Sequence, residues 1–252
     1  MTWIRFGDSL FNPELIAFDK DGTLIDFDHM WGRLARAWVE RLTAETGDQG
    51  LKRDLYRSLG YDPRQERTAP QSPLAIATTG QLQAIAAVTL YRRGVPWTEA
   101  EDRTRLAFQQ VGADLPLSDL IHPAGDVGGL FTRLRGAGVR VAVVTTDHRT
   151  ETENTLHILG VAHLVDHLVC GDDGLPPKPA PDMLLAVSAR SGIAPARSAV
   201  VGDTVADLLM SSRAGAGFKA AVLTGAGDPI QLRAHADVIL SSIETIAVEQ
   251  QT

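Results

Sequence analysis

Apolar residues fall into two textures along this chain. From residue 123 onward, short apolar runs rich in β-branched residues alternate with segments whose apolar positions recur at helical spacing. The runs at 15–18, 139–144, 164–169, 198–201, 220–223 and 238–240 predict strands. The segments at 127–135, 150–159, 181–192 and 205–214 predict helices, each closed or followed by a glycine and the first weakened near its start by Gly128-Gly129. Strands alternating with helices predict right-handed βαβ units and a parallel sheet. Between 27 and 121 only helical spacing is found. There Leu34, Ala35, Trp38 and Leu42 line one face of a helix over 30–42, and further helices are predicted over 51–59, 74–91 and 96–111. Thr78-Thr79-Gly80 is a possible break in the third, and Thr98 with Glu101 fits a capping box for the fourth. Residues 63–73 read as a loop, and residues 1–14 as a short lead-in. The expectation is an α/β core of residues 1–26 and 122–252, with an all-helical domain of residues 27–121 inserted after the first strand.

Composition narrows the function more than the fold. The chain has 252 residues, of which 44% are hydrophobic and 22% charged, enough for a sizeable core. A net charge of −7 argues against bulk nucleic-acid binding, which needs a strongly basic face. A small anionic substrate remains compatible, because a pocket can be locally positive. Cys170 is the only cysteine, so neither an internal disulfide nor a cysteine-rich zinc site can form. Cys170 itself reads as a small buried apolar residue. No apolar run approaches the length of a membrane span, and residues 1–5 show no signal-peptide pattern, so the expected compartment is the cytoplasm. No membrane or nucleic-acid partner is expected, and the protein would be a monomer or a homodimer.

Four predicted strand ends carry chemistry. The first strand runs into Asp19-Lys20-Asp21-Gly22-Thr23. Asp19 and Asp21 can project toward one site while Gly22 turns the chain, and two carboxylates this close repel unless a cation lies between them. Oxygen ligands of this kind suit Mg²⁺. The alternative is a surface turn, since Asp and Gly favour turns. The second strand end carries Thr145-Thr146-Asp147, where a hydroxyl can donate to a phosphate oxygen or merely close a strand. The third is Pro176-Pro177-Lys178-Pro179-Ala180-Pro181-Asp182. Its prolines stiffen a segment that holds the Lys178 ammonium for charge neutralisation, or leave it solvated before a helix. The fourth is Gly202-Asp203-Thr204-Val205-Ala206-Asp207. Asp207 lies one helical turn after Asp203 and can face the same site, whereas Asp203 can equally cap the helix.

Together these segments resemble the haloacid-dehalogenase (HAD) superfamily, in its phosphatase branch. Asp19-Lys20-Asp21-Gly22-Thr23 matches its first motif, Thr145 the second, Lys178 the third, and Gly202-Asp203 through Asp207 the fourth. The resemblance covers nearly the whole chain and implies a Rossmann-like three-layer core. The helical insert looks like the cap of phosphoglycolate phosphatases and β-phosphoglucomutases, which would exclude water and choose the substrate. The resemblance implies that Asp19 is the nucleophile and Asp21 the acid and base. It further implies Mg²⁺ held by Asp19, the Asp21 carbonyl and Asp203, with Asp207 binding or orienting from behind. Gly22, Thr145, Thr146 and Lys178 would hold phosphate. Asp21 also argues against dehalogenation, because halide departs without a proton. Two positions depart from the common pattern: Lys20 stands where many relatives carry an apolar or aromatic residue, and Thr146-Asp147 follows Thr145 where Asn is frequent.

The expected activity is Mg²⁺-dependent hydrolysis of a small phosphorylated metabolite, phosphoglycolate foremost. The alternatives are a phosphomutase of the β-phosphoglucomutase type and a catalytically silent binding protein on the same fold. In the insert, Arg33, Arg36, Arg41, Lys52, Arg53 and Arg57 are expected mainly on solvated helix faces rather than on substrate. Trp31 and Trp38 are expected in the insert's core. Asp26, Asp28 and His29 read as hinge or capping residues, and His148 as a residue of the site's rim.

Overall fold

The structure, a computed structural model, describes residues 2–44 and 47–249. It divides into two compact units, one of Met1–Phe27 with Ile121–Thr252 and the other of Asp28–Leu120. Strands β1 (Trp3–Phe6), β2 (Ser9–Phe11) and β3 (Leu15–Phe18) open the first unit. The second unit begins with one turn of π-helix, Asp28–Gly32, followed by α1 (Arg33–Thr43) and α2 (Gln49–Leu59). Two-residue strands β4 (Tyr61–Asp62) and β5 (Arg67–Thr68) follow, then α3 (Pro73–Ile76), α4 (Thr79–Arg92), α5 (Trp97–Asp114) and α6 (Leu117–Leu120). The chain then returns to the first unit. There it forms α7 (Val127–Gly136), β6 (Arg140–Val144), α8 (Arg149–Ile158), β7 (His167–Val169) and α9 (Asp182–Ser191). The remaining elements are β8 (Ser198–Gly202), α10 (Val205–Ala214), β9 (Phe218–Val222), α11 (Pro229–His235), β10 (Val238–Leu240) and β11 (Ile246–Glu249).

Six parallel strands form the central sheet in the order β10-β9-β8-β3-β6-β7. The chain leaves β3 toward β6 on one side and later returns to β8 on the other, so the strand order reverses at β3. Open α/β sheets gather ligands beyond the carboxyl ends of their strands at such a point. The pairing aligns those ends, with Phe18 opposite both Val143 and Val201. Alternate residues of the buried strands face opposite layers. Ile16 and Phe18 pack with Leu130, Phe131 and Leu134 of α7 and Leu156 of α8. Leu15 and Ala17 pack with Met183, Leu184 and Val187 of α9 and Met210 of α10. The result is the three-layer α/β core that the sequence predicts. Among the described residues, no helix is long and apolar enough to cross a membrane.

Several details differ from the sequence reading. The short lead-in carries strands that were not predicted: β1 and β2 join β11 in a separate three-stranded antiparallel sheet, with β1 central and Trp3 opposite Glu249. Its strands are three or four residues long, and their pairing spans the whole chain. Ile4 and Phe6 point into the core layer beneath α7, while Trp3 and Arg5 face out. The predicted strand at 164–169 begins only at His167, because residues 162–164 coil into a 3₁₀ turn. The insert is helical except for the β4–β5 pair. Thr98 and Glu101 form no cap: α5 starts directly after Pro96, placing Thr98 inside its first turn. The capping box lies instead at Thr78 and Gln81, which start α4 after the expected break. Asp126 caps α7 by accepting from the Gly129 N–H at 2.8 Å, offsetting the weakness of its paired glycines.

The insert has its own core. Trp38 stacks on Phe108 with ring centroids 4.1 Å apart, and Trp31 packs at its edge. Arg36, Arg41 and Lys52 pair with Glu66, Asp114 and Glu40, and Arg33 donates to the Asp119 carbonyl. These four are thus engaged within the insert. Asp28 accepts from both the N–H and the hydroxyl of Thr68, at 2.8 and 2.7 Å, tying the π-turn to β5.

Phe131 is fully buried, with its ring 5.1 Å from that of Phe18, the last residue of the strand that leads into Asp19. Phe131→Ala is expected to lower unfolding free energy by about 3–5 kcal/mol, measured by urea titration, because the cavity cannot collapse against a sheet.

Candidate functional site

The site begins where β3 ends. Asp19 donates its backbone N–H to the Val201 carbonyl at 2.9 Å, so the first residue beyond the strand is still held by the sheet. Gly22 then reverses the chain with φ +79°, in the left-handed region, and a Cβ there would lie 2.6 Å from Asp203 Oδ2. Only glycine fits that turn without displacing Asp203. The Thr224 hydroxyl donates to the Gly22 carbonyl at 2.6 Å, tying the loop to the segment after β9.

Lys178 reaches the same point from the proline-rich segment before α9. Its Nζ donates to Asp19 Oδ1 and to Asp207 Oδ1, each at 2.6 Å. The ammonium is therefore not solvated. Burial disfavours its charge, but the facing carboxylates of Asp19 and Asp207 outweigh this and hold it above the ordinary lysine range. Asp207 is fixed by the start of α10. Thr204 is the helix's N-cap, and in a capping box Asp207 Oδ2 accepts the Thr204 N–H at 3.0 Å. Both oxygens of Asp207 are thus committed.

This arrangement decides between the two readings of Asp203. Thr204 does the capping, which leaves the Asp203 carboxylate free to turn into the site. It is buried, with Oδ2 accepting the Ala226 N–H at 3.1 Å and Oδ1 having no hydrogen-bond partner. Ligand atoms of Asp19, Asp203 and Asp207 all lie within 4.8 Å of one another. Three carboxylates against the single ammonium of Lys178 leave two negative charges, the complement of a divalent cation. Burial, with the charges of Asp19 and Asp207 adding to it, pushes the Asp203 carboxyl well above its usual range. Burial likewise pushes Asp19 up to about 7, against the pull of Lys178. The orphaned Oδ1 of Asp203 and the surplus negative charge both fit a bound cation.

Asp21 lies apart from that cluster. Its carboxylate meets the ammonium of Lys20, which also pairs with Asp147 Oδ2 at 2.8 Å. Burial pushes Asp21 up to about 6, against Lys20, while Asp147 pushes the same way as burial. For Asp147 burial works upward too, but Lys20 outweighs it and the carboxyl lies below its usual range. Thr145 follows β6 and is buried; its N–H donates to the Val169 carbonyl at 3.0 Å and its hydroxyl accepts the Asp147 N–H at 3.2 Å. Thr146 is exposed, and its carbonyl abuts Gly171, where a Cβ would lie 2.0 Å away. His148 is exposed and pairs with Asp172 at 3.7 Å. Cys170 is buried.

Asp19, Lys178, Asp203 and Asp207 therefore form one connected cluster. Gly22 backs it, Asp21 stands beside it on the first loop, and Thr145 with Thr146 ends the neighbouring strand. The sequence reading missed residues 224–227. Their backbone donates the hydrogen bond that Asp203 Oδ2 accepts, and Gly225 approaches so closely that a Cβ would fall 1.9 Å from that oxygen. The signal was present: Thr224-Gly225-Ala226-Gly227 follows an apolar strand with small residues that permit close backbone approach.

Comparison with known proteins agrees with this geometry. A family model described as haloacid dehalogenase-like hydrolase matches residues 13–215. The chain is 30% identical over 202 residues to the Probable phosphatase IndB of Dickeya dadantii (strain 3937), covering 80% of this chain and 77% of that one. A crystal structure of a predicted phosphoglycolate phosphatase from Haemophilus somnus 129pt superposes with a TM-score of 0.68. It shares 19% identity, with 92% of this chain and 95% of that chain covered. A HAD family hydrolase from Deinococcus radiodurans R1, crystallised with bound phosphate and sodium, gives a TM-score of 0.64. There the identity is 20%, and 92% of each chain is covered. The four strand-end motifs, the reversal of strand order at β3 and the family match over most of the chain together make this protein a member of the haloacid dehalogenase-like hydrolases.

Proposed function

We propose that this protein is a Mg²⁺-dependent phosphatase that hydrolyses a small phosphate monoester, with phosphoglycolate the leading substrate. The observation that carries this reading is the Asp19 carboxylate, fixed by Lys178 on one oxygen and within 4.8 Å of a carboxylate oxygen of Asp203. The phosphatase relative supports the choice of reaction. Phosphoryl transfer depends mainly on positioning and on neutralising negative charge.

In this reading an Asp19 oxygen attacks phosphorus and the bond to the leaving oxygen breaks. Asp21 gives its proton to that oxygen, releasing the alcohol and leaving an aspartyl-phosphate on Asp19. Asp21, now a carboxylate, takes a proton from water as the water oxygen attacks phosphorus. The bond to Asp19 breaks, freeing inorganic phosphate and restoring both residues. Lys178 neutralises charge on Asp19 and on the phosphoryl oxygens, and Thr145, Thr146 and the N–H groups of the first loop cradle them. Mg²⁺ would be held by Asp19, the Asp21 carbonyl and Asp203, with Asp207 anchoring Lys178 behind. When bound, it supplies charge neutralisation for the transferring group. The partner is a small phosphorylated metabolite, and the protein works as a monomer or homodimer in the cytoplasm.

Asp19→Asn is expected to cut phosphate release at least ~1,000-fold with the far-ultraviolet circular dichroism spectrum unchanged; appreciable residual turnover would rule out the covalent route. On a panel of phosphorylated metabolites that includes phosphoglycolate and a hexose phosphate with its bisphosphate, free phosphate should accumulate. Sugar-phosphate interconversion without phosphate release would replace the hydrolase reading with a mutase.

A chelator should stop turnover and Mg²⁺ restore it. Mg²⁺ at about 100 times its dissociation constant should add about 2.7 kcal/mol of stability, raising the thermal midpoint by several degrees. Asp203→Asn should lose that rise. Its metal-free midpoint should not fall below that of the wild type, because the neutral amide removes a charge that the fold disfavours.

A further inference from the structure

We propose that Lys20, braced by Asp147, is a positioning residue that fixes the carboxyl of Asp21 for proton transfer. The inference rests on the phosphatase reading above for the task of Asp21. Lys20 sits in the first loop between Asp19 and Asp21, at a place where solvent is near, yet its side chain is only 2% exposed. Its ammonium is turned onto two carboxylates, one oxygen of Asp21 and Asp147 Oδ2 at 2.8 Å. Asp21 keeps 18% of its side chain exposed on the loop, so packing alone does not hold it. The ammonium supplies the missing restraint.

Asp147 is itself anchored. Its N–H donates to the Thr145 hydroxyl at 3.2 Å and its carbonyl accepts the Gly171 N–H at 2.8 Å. Lys20 is therefore pinned between the loop after β3 and the loop after β6, which belong to adjacent strands of the sheet. The two places where the sequence departs from the family's common pattern, Lys20 and the Thr146-Asp147 pair, include both members of this ion pair. Without Asp147 the buried ammonium would face the single carboxylate of Asp21; Asp147 supplies a second. A buried ion pair adds little net stability compared with apolar residues of the same shape. Stability alone thus gives little reason to carry it, whereas orienting Asp21 does.

A positioning role and a purely structural one differ in how loss depends on the leaving group. Nitrophenolate departs as a stabilised anion and needs little help from Asp21; an alkoxide needs the proton. The experiment measures kcat/KM, which reads the first phosphoryl transfer, for p-nitrophenyl phosphate and for an alkyl phosphate that the wild type hydrolyses. Lys20→Met should lose on the order of 100-fold on the alkyl ester and less than about tenfold on the aryl ester. Lys20→Arg should recover most of the alkyl activity. Asp147→Asn should shift the alkyl-to-aryl ratio in the same direction by a smaller factor, and it carries the test if Lys20→Met does not fold. Parallel loss on both esters, or no loss, would overturn the positioning role while leaving the phosphatase reading intact. A wild type inert toward both esters, and toward every other phosphate monoester tried, would overturn that reading and this inference with it.

Discussion

Three carboxylates crowd the carboxyl end of the parallel sheet, and the pull of Lys178 on two of them makes the arrangement possible. Its ammonium touches Asp19 and Asp207 at equal distance. Without it, the repulsion between buried carboxylates would favour protonation or displacement of their side chains. With it, the cluster keeps a defined shape, and with all three carboxylates ionised it carries a negative surplus of two beside an Asp203 oxygen that has no hydrogen-bond partner among the described residues. The rest of the core can be seen as a frame for this balance. The sheet aligns the strand ends, the proline-rich segment delivers Lys178, and the start of α10 delivers Asp207.

Local chemistry near the site does double duty. The capping box of α10 satisfies backbone groups at a helix start, and it also immobilises Asp207 so that one oxygen faces Lys178. Because Thr204 takes the capping position, Asp203 is released from that task. Tight approach of glycine backbone supports the same end. Gly22 and Gly225 leave no room for a Cβ beside Asp203, so the carboxylate is confined by main chain rather than by mobile side chains.

Much of this was legible in the sequence, for a physical reason. A buried parallel strand is a short apolar run, and its end is marked where polar and turn-forming residues begin; the pattern thus located Asp19, Thr145 and Asp203 at strand ends. The α/β alternation and the helical texture of the insert were likewise visible as periodicity. Pairings set by long-range geometry were not. β1 and β11 are four-residue strands that find each other across the full chain, with too few positions to show alternation. Lys20 and Asp147 stand out in sequence only as two unrelated departures; their pairing needs the adjacency of β3 and β6. Thr98 with Glu101 matched a capping box by spacing, yet the helix begins at Trp97, and no spacing rule says which turn of a helix comes first.

The way the chain leaves and re-enters the core has a further consequence. Just after the first loop, Asp26 donates its N–H to the His122 carbonyl at 2.8 Å, and Ala124 donates to the Leu24 carbonyl at 2.9 Å. The outgoing and incoming backbones run side by side as a clasp of main-chain hydrogen bonds. Whatever segment is spliced between them, the clasp presents the core with the same two neighbouring ends. Closing a longer excursion adds only a slowly growing entropic cost. Such a junction lets the intervening piece be exchanged wholesale during evolution while the chemistry at the carboxyl ends of the central strands stays in register.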